Sequence, residues 1–483
     1  MIPTTPTGKI AVRSMVLPLA LAQFIASYAA TNMNVAITTI ADDLDTTVAA
    51  IQTAITLFTL TMAALMIPGS KLTDIWGRKR CFVAGLIVYG TGALLASLAP
   101  GIGVLILGYS LLQGVGSALM IPPIYILVTV AFDDIRLRAR YFGIVSGAGG
   151  LGAAAGPLIG GLITSLASWR ASFVVQFLLV GTIALLARRI VEPAPSGAAP
   201  RFDLAGAVLS ACGLFFVVYG ILQSTTYGWL SSREDFSVAG TVILPAGGVS
   251  PVWLFMAVGA AFLAWFILHL RSRENAGRDP LLSLRLFRNR TSNLGLITQT
   301  VQWMVLQGSF FVVSVFIQEI RGFNAIETGL LLTPATLGIL LSSAAAGRFA
   351  RRRPQATLVR AGFVTTIAGI ALLLALVRQD SAVLTFIPGL FLMGLGVGVM
   401  LTASVNVVQS SFDDQDQGEI SGLSRSVSNL GSSLGTAVAG SVLVAAARPG
   451  SGEFALALTT LAIASLIGLI AAWFIPRTNP QAG

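Results

Sequence analysis

The sequence predicts an all-α polytopic membrane protein: two six-helix bundles with two extra transmembrane helices between them, fourteen spans in all, and both termini cytoplasmic. Three observations lead there. Of 483 residues, 55% are hydrophobic and only 10% charged, whereas about a quarter of a soluble protein is charged. The apolar residues form blocks of about 20, enough for a helix to cross about 30 Å of hydrocarbon and unlike the short alternating segments of a barrel. The basic residues collect in the connectors on one side.

The first span, about 14–38, lacks a small-residue cleavage site and exceeds a signal-peptide core, so it reads as a retained helix. The second and third, 47–68 and 81–99, flank the charged stretch Gly69–Arg80, whose Lys71, Asp74, Arg78, Lys79 and Arg80 read as a turn at the membrane surface. The fourth, 102–123, merges with an extension over 124–132, and 141–165 and 170–190 complete the first bundle, residues 14–190. Residues 191–290 hold a Pro/Ala-rich linker (Glu192–Pro200), the extra helices 204–223 and 252–271, an external hairpin or loop over Thr225–Pro251, and an Arg-rich cytoplasmic strap, Arg271–Arg290. The second bundle, residues 291–476, holds spans at 292–317, 327–346, 357–377, 383–406, 420–446 and 454–475.

With the N-terminus inside, 25 of the 30 Lys and Arg fall in cytoplasmic connectors. Only Arg170, Arg233, Arg321, Arg378 and Arg448 fall outside, the bias expected of an inner, cytoplasmic membrane protein. An odd number of spans would break this alternation. Because the basic residues are dispersed, the net charge of +10 points to topology and not to nucleic acid. One histidine, His269, and two cysteines, Cys81 and Cys212, are too few for a zinc, haem or iron–sulfur site, so no cofactor or metal is expected.

The chain echoes itself about 280 residues on. Gly69 has its counterpart in Gly347, where Gly347–Arg353 again separates two apolar runs. Phe132-Asp133-Asp134 recurs as Phe412-Asp413-Asp414, and Gly152, Gly156 and Gly161 recur as Gly431, Gly435 and Gly440.

Gly69-x-x-x-x-Asp74-x-x-Gly77-Arg78 and Gly152-Ala-Ala-Ala-Gly156-Pro157-Leu-Ile-Gly160-Gly161, with fourteen spans, resemble the fourteen-helix drug:proton antiporter branch of the major facilitator superfamily. The resemblance covers nearly the whole chain. It implies an exporter, with Asp74 and Arg78 forming a polar latch at the cytoplasmic ends of the helices in a motif that includes Gly69 and Gly77, and with the Gly-Pro run as an exporter-type motif in the fifth helix. Gly156 and Pro157 remove side-chain bulk and a backbone donor, which permits close packing and a bend. Two family features are absent. The acidic residue expected ahead of Asn34-Val-Ala is Ala29, and the arginine expected ahead of Gln113-Gly114 is Ser110. Both positions are associated with proton coupling in the family.

All 20 acidic residues fall in connectors or at helix ends, leaving Asp74, Glu319 and Glu327 as marginal proton sites, or as ordinary solvated charges. Uncharged polar residues recur on single helix faces instead: Gln23, Ser27, Thr31 and Asn34 on the first; Gln52, Thr56 and Thr59 on the second; Gln299, Trp303 and Gln307 on the ninth. With Gln113, these are the expected substrate-binding residues, the alternative being hydrogen-bonded glue between helices.

The expected function is export of hydrophobic or amphipathic small molecules, a multidrug-type efflux by alternating access, with protons as the candidate coupling ion. Movement of a lipid or lipid-linked metabolite is the alternative, and a non-transporting sensor or scaffold the second. No paired carboxylates with histidines suggest an enzyme. The expected partners are a small amphipathic substrate and the bilayer, not nucleic acid, and the expected unit is a monomer.

Overall fold

The structure, a computed structural model, describes residues 6–131, 135–188, 190, 201–238, 241–350, 353–378, 380–412, 417–444 and 451–476. Phe132–Asp134, Asp413, Asp414, the linker 192–200, and Arg189, Arg351, Arg352, Arg448 and Arg477 lie outside the described residues.

The first helices are α1 (Pro6–Asn32), a short α2 (Ile37–Asp43), α3 (Val48–Trp76), α4 (Arg78–Ser97), a one-turn α5 (Ile102–Leu105), α6 (Gly114–Ala131), α7 (Ile135–Leu166) and α8 (Trp169–Ala187). Next come α9 (Leu204–Tyr227), the antiparallel hairpin β1 (Phe236–Val238) and β2 (Thr241–Leu244), and α10 (Pro251–Asn275). The last are α11 (Arg290–Val315), α12 (Ala325–Ala350), α13 (Gln355–Leu376), α14 (Phe386–Gln409), α15 (Gln417–Val444) and α16 (Ser451–Trp473). A π-helical stretch, Ile106–Gln113, joins α5 to α6 in one span, and another, Phe316–Ile320, ends α11.

Thirteen segments among the described residues are long and apolar enough to cross a membrane, and the chain is a multi-pass membrane protein. α15 is not one of the thirteen, because serines and glycines lower its hydropathy. Its hydroxyls face protein: Ser424 bonds Gln299 of α11, while Ser426 and Ser433 bond the Ala63 and Thr56 carbonyls of α3. A helix enclosed by neighbours has less need of an apolar surface.

The expected turn at Gly69–Arg80 differs from what forms. α3 stays helical to Trp76, and the chain reverses at one residue, Gly77, with φ 92°, a conformation that disfavours any side chain. Gly69 has another role: a Cβ there would lie 2.2 Å from the Ala118 carbonyl oxygen, so its absence lets α3 touch α6. The first span also differs, breaking at Met33–Val35 before α2.

α1, α3, α4, α6, α7 and α8 pack chiefly among themselves, as do α11 to α16. The two groups meet along two seams, α3 on α15 and α7 on α12. The end of the molecule where α3 and α4 join is here the basic end. α9 and α10 form a pair lying across the first seam: Val218, Ile221 and Leu222 of α9 are buried with Leu60 of α3 and Ala437 of α15.

Asp203 fastens this pair at its basic end. Its side chain, 1% exposed, caps α9 through Gly206 N (3.0 Å), bonds His269 Nε2 (2.9 Å), lies 3.6 Å from Arg273 Nε, and accepts from Leu281 N of the strap (3.3 Å). Burial pushes this carboxyl up, but the Gly206 N–H, His269 and Arg273 outweigh it and hold it below the ordinary aspartate range. A carboxyl so depressed stabilises the fold above its unfolded value of about 3.9 and loses that effect as pH falls through its lower folded value. Asp203→Ala should therefore cost about 1–3 kcal/mol at neutral pH. In thermal unfolding of purified protein, its gap from wild type should persist to pH 5 and narrow below about pH 4.

Candidate functional site

The α7–α12 seam is a contact of backbone against backbone made possible by small residues, and at the α3–α15 seam side chains of one helix meet the backbone of the other. Along α7, a Cβ on Gly152 would lie 2.2 Å from the Phe24 carbonyl oxygen of α1, and one on Gly156 2.0 Å from Thr31 Oγ1. One on Gly160 would meet Asn32, while one on Gly161 would lie 2.4 Å from the Ala325 carbonyl oxygen across the seam in α12. Gly329 of α12 answers with 2.5 Å to the Pro157 carbonyl oxygen.

α15 repeats this arrangement. A Cβ on Gly431 would lie 2.2 Å from the Thr300 carbonyl oxygen of α11, one on Gly435 2.2 Å from that of Met304, and one on Gly440 2.2 Å from Gln52 Nε2 of α3 across the other seam. In both series the first two glycines meet the opening helix of their own group, and the third meets the opposite group. The sequence echo is thus a repeat of contacts.

Hydrogen bonds across the seams are sparse and largely side chain to backbone. Away from the basic end, Gln52 Nε2 donates to the Thr436 carbonyl (3.1 Å), Thr336 Oγ1 to Ala154 O (2.7 Å), and Ile326 N to Ser165 Oγ (3.0 Å). There the π-helical end of α11 presents Gln318: its Nε2 donates to Asn34 O (2.9 Å), and its Oε1 accepts from Thr38 N and Thr38 Oγ1. Nearer the middle, Gln307 Nε2 donates to Ala30 O at 2.9 Å.

At the basic end, Ser70 Oγ donates to Gly418 O (3.3 Å) and Lys71 Nζ lies 3.5 Å from Glu419 Oε1. Arg425 of α15 hydrogen-bonds Tyr125 Oη of α6 and lies over its ring. Glu419 also accepts from Ser283 N of the strap at 3.1 Å.

The family model of the Major Facilitator Superfamily matches residues 19–436 and 296–483. The chain belongs to the Major Facilitator Superfamily. Its relatives in this superfamily include the multidrug resistance protein Stp of Mycobacterium tuberculosis, 28% identical over 395 residues, 82% of this chain and 69% of the relative. The probable actinorhodin transporter of Streptomyces coelicolor is 29% identical over 434 residues, 85% of this chain and 69% of the relative. The cephamycin export protein CmcT of Amycolatopsis lactamdurans is 28% identical over 492 residues, 99% and 96% of the two chains.

This facilitator brings some of the sequence-predicted residues together and separates others. Gln23, Ser27 and Thr31 face α7: Gln23 lies over Gly149, bonding Ser27, and Thr31 Oγ1 donates to Ala153 O at 3.0 Å. Asn34 is fully buried, with both side-chain polar atoms unpartnered among the described residues. Gln52 and Thr56 lie on the α3–α15 seam, and Thr59 bonds its own helix. Gln299 accepts from Ser424, Gln307 reaches α1, and Trp303 is half-buried. Gln113 lies apart, within the first group, donating to Gln176 at 3.2 Å.

The marginal acids divide. Glu327 forms a capping box, accepting from Asn324 N (2.9 Å) while its own N–H donates to Asn324 Oδ1 (3.0 Å). Glu319 is exposed and faces Asp42. Asp74 is exposed in the field of Lys71, Arg78 and Glu419. Among the described residues, Lys71 and Glu419 form an ion pair across the seam there.

Sequence reasoning missed a neutral network inside the first group. Tyr28 Oη and Asn32 Nδ2 both meet Ser172 Oγ, at 2.8 and 2.9 Å, and Tyr89 Oη donates to Gln176 Oε1 at 2.8 Å. Where the family pattern has charges, Ala29 offers its carbonyl to Tyr109 Oη (3.1 Å) and Ser110 Oγ donates to Ala54 O (2.7 Å). Gln318, Glu419 and Arg425 were also missed. For Arg425 the signal was visible as one cation two turns inside a serine- and glycine-rich helix, but it was counted with the connectors.

The glycine contacts are testable. Gly152→Ala and Gly431→Ala place a methyl against a backbone carbonyl and should each destabilise by about 1–3 kcal/mol. Gly147→Ala, with nothing within 4 Å, should leave the melting temperature near wild type. Thermal unfolding of the three variants in detergent makes the comparison.

Proposed function

We propose that this chain exports hydrophobic or amphipathic small molecules, neutral or weakly charged, by alternating access. In this reading residues 14–190 and 291–476 are two six-helix bundles that part along one end of the seams while closed at the other. The chain crosses the cytoplasmic membrane fourteen times, α15 included, with both termini and the basic end inside.

One observation carries the reading. Gln23 Oε1 of α1, both polar side-chain atoms of Asn34 in the Met33–Val35 turn, Thr56 Oγ1 of α3 and Gln299 Nε2 of α11 are buried, and none has a partner among the described residues. Leaving such a group dry costs about 1–3 kcal/mol, so these are positions where water or a substrate's polar group gains most. Because they are neutral, they suit a substrate without strong charge. The names of the relatives, which concern multidrug resistance, actinorhodin and cephamycin, support the same substrate class.

Gln318 with Asn34 and Thr38 forms the outer closure, and Lys71–Glu419 with Arg425–Tyr125 the inner one. If protons drive the cycle, Asp74 and Glu319 are the groups to carry them, since the Glu327 carboxylate already caps α12.

Proteoliposomes with an imposed pH gradient test this. Amphipathic dye should move in the presence of the gradient, and Asn34→Leu or Gln299→Leu should reduce transport about tenfold, equivalent to about 1.4 kcal/mol. Asp74→Asn or Glu319→Gln should flatten its pH dependence. Failure of folded protein to move any amphipathic dye contradicts the export reading. Unchanged pH dependence in both acid variants removes them as proton sites.

A further inference from the structure

Outside the seams, a cavity of about 500 Å³ lies between the last turns of α10 and the one-turn helix of the strap, Leu284–Arg288. Arg271 and Arg288 line it with Glu274, over a floor that includes Ile267, Leu284 and Phe287. Both arginines are exposed, and neither has an ion-pair partner among the described residues. Glu274 is turned to the strap: its Oε1 accepts from Leu284 N at 2.7 Å and from Ser283 Oγ at 3.4 Å. It thus builds the wall and leaves a net positive lining. The volume is within the range of about 300–1,000 Å³ typical of small-molecule sites.

The height of the cavity identifies its occupant. Trp265 and Leu268 on α10 are 61% and 60% exposed, as side chains facing hydrocarbon are, and Arg271 lies one turn beyond Leu268, about 4.5 Å along the axis. α10 carries no Lys, Arg, Asp or Glu from Pro251 until Arg271. The two guanidinium groups therefore stand at headgroup level, above an apolar floor. We propose that this cavity binds the phosphate headgroup of an anionic phospholipid from the leaflet at the basic end. The arginines engage the phosphodiester by charge-assisted hydrogen bonds, and the acyl chains lie against the exposed face of α10. Because the same strap donates Ser283 N to Glu419, a bound lipid would stiffen the segment fastened to the inner closure.

The test uses the full-length protein in mixed micelles, with phosphatidylglycerol or phosphatidylcholine adducts counted by native mass spectrometry. Wild type should retain phosphatidylglycerol preferentially. An Arg271→Ala/Arg288→Ala variant should bind it about twenty-fivefold more weakly, about fivefold for each arginine, while its phosphatidylcholine adducts stay unchanged. Arg271→Lys/Arg288→Lys should restore much of the preference, and Arg278→Ala, outside the cavity lining, should behave as wild type. Melting temperature in lipid-free detergent checks that each variant is folded. Should the alanine variant not fold, the salt dependence of wild-type phosphatidylglycerol retention takes its place, and retention should fall as salt rises. Equal retention of the two lipids by wild type, or undiminished phosphatidylglycerol binding by a folded alanine variant, overturns the proposal. So does displacement of the lipid by millimolar inorganic phosphate, which would identify the occupant as a soluble anion.

Discussion

The close approach of helices at α3–α15 and α7–α12 is the constraint on which the rest of this facilitator depends. Helices in a bilayer gain little from hydrophobic association, so they must hold together by contact and by hydrogen bonds. Here glycine removes the side chain where a carbonyl of the neighbouring helix arrives, and serine or threonine hydroxyls bond to backbone across the gap. Most of these bonds are neutral, each worth about 1 kcal/mol. A seam of that kind is tight in van der Waals contact but inexpensive to part, which suits a protein whose halves must separate at alternate ends.

Among the described residues, the ion pair across the seams stands at the basic end, while Arg170 and Asp43 pair within the first group at the other. Glu419 accepts from Lys71 across the seam and from the strap's Ser283 N, so one carboxylate serves the closure and the segment that follows the extra helices. Asp203 gathers α9, α10 and the strap in the same way. α9 and α10 are therefore more than a spacer between two halves, since α9 packs on both helices of one seam and the strap fastens beneath it. The lone histidine, too sparse for a metal site, has its place here as a partner of Asp203.

The spans were legible because each lipid-facing helix must be apolar over about 20 residues, and α4, α8, α13 and α16 follow their apolar runs to within a few residues of the expected bounds. The glycine echo was legible because close packing leaves a mark in residue type. α15 was expected as the span 420–446 although its serines and glycines lower its hydropathy, for the physical reason that a helix hidden between α3 and α11 meets little lipid. The helical continuation to Trp76 was hidden because charge density fixes depth, not backbone conformation. Within the site, polar faces were visible but their partners were not: Gln23 and Gln113 are both amides on apolar helices, yet one faces α7 and the other bonds Gln176 inside its own group. Pairings such as Gln318 with Asn34, or Glu419 with Lys71, join residues about 280 and 350 positions apart, and no local pattern reports them.

The central claim is that work is done by parting the two seams at alternate ends, and site-directed cross-linking tests it most directly. With Cys81 and Cys212 replaced by serine, one variant carries Ser70→Cys and Gly418→Cys, where the Ser70 hydroxyl meets the Gly418 carbonyl at the basic end. A second carries Ser165→Cys and Ile326→Cys, which meet at the opposite end. Each disulfide should halt dye transport in proteoliposomes, and reductant should restore it. Transport at the uncross-linked rate with both disulfides fully formed would contradict the account.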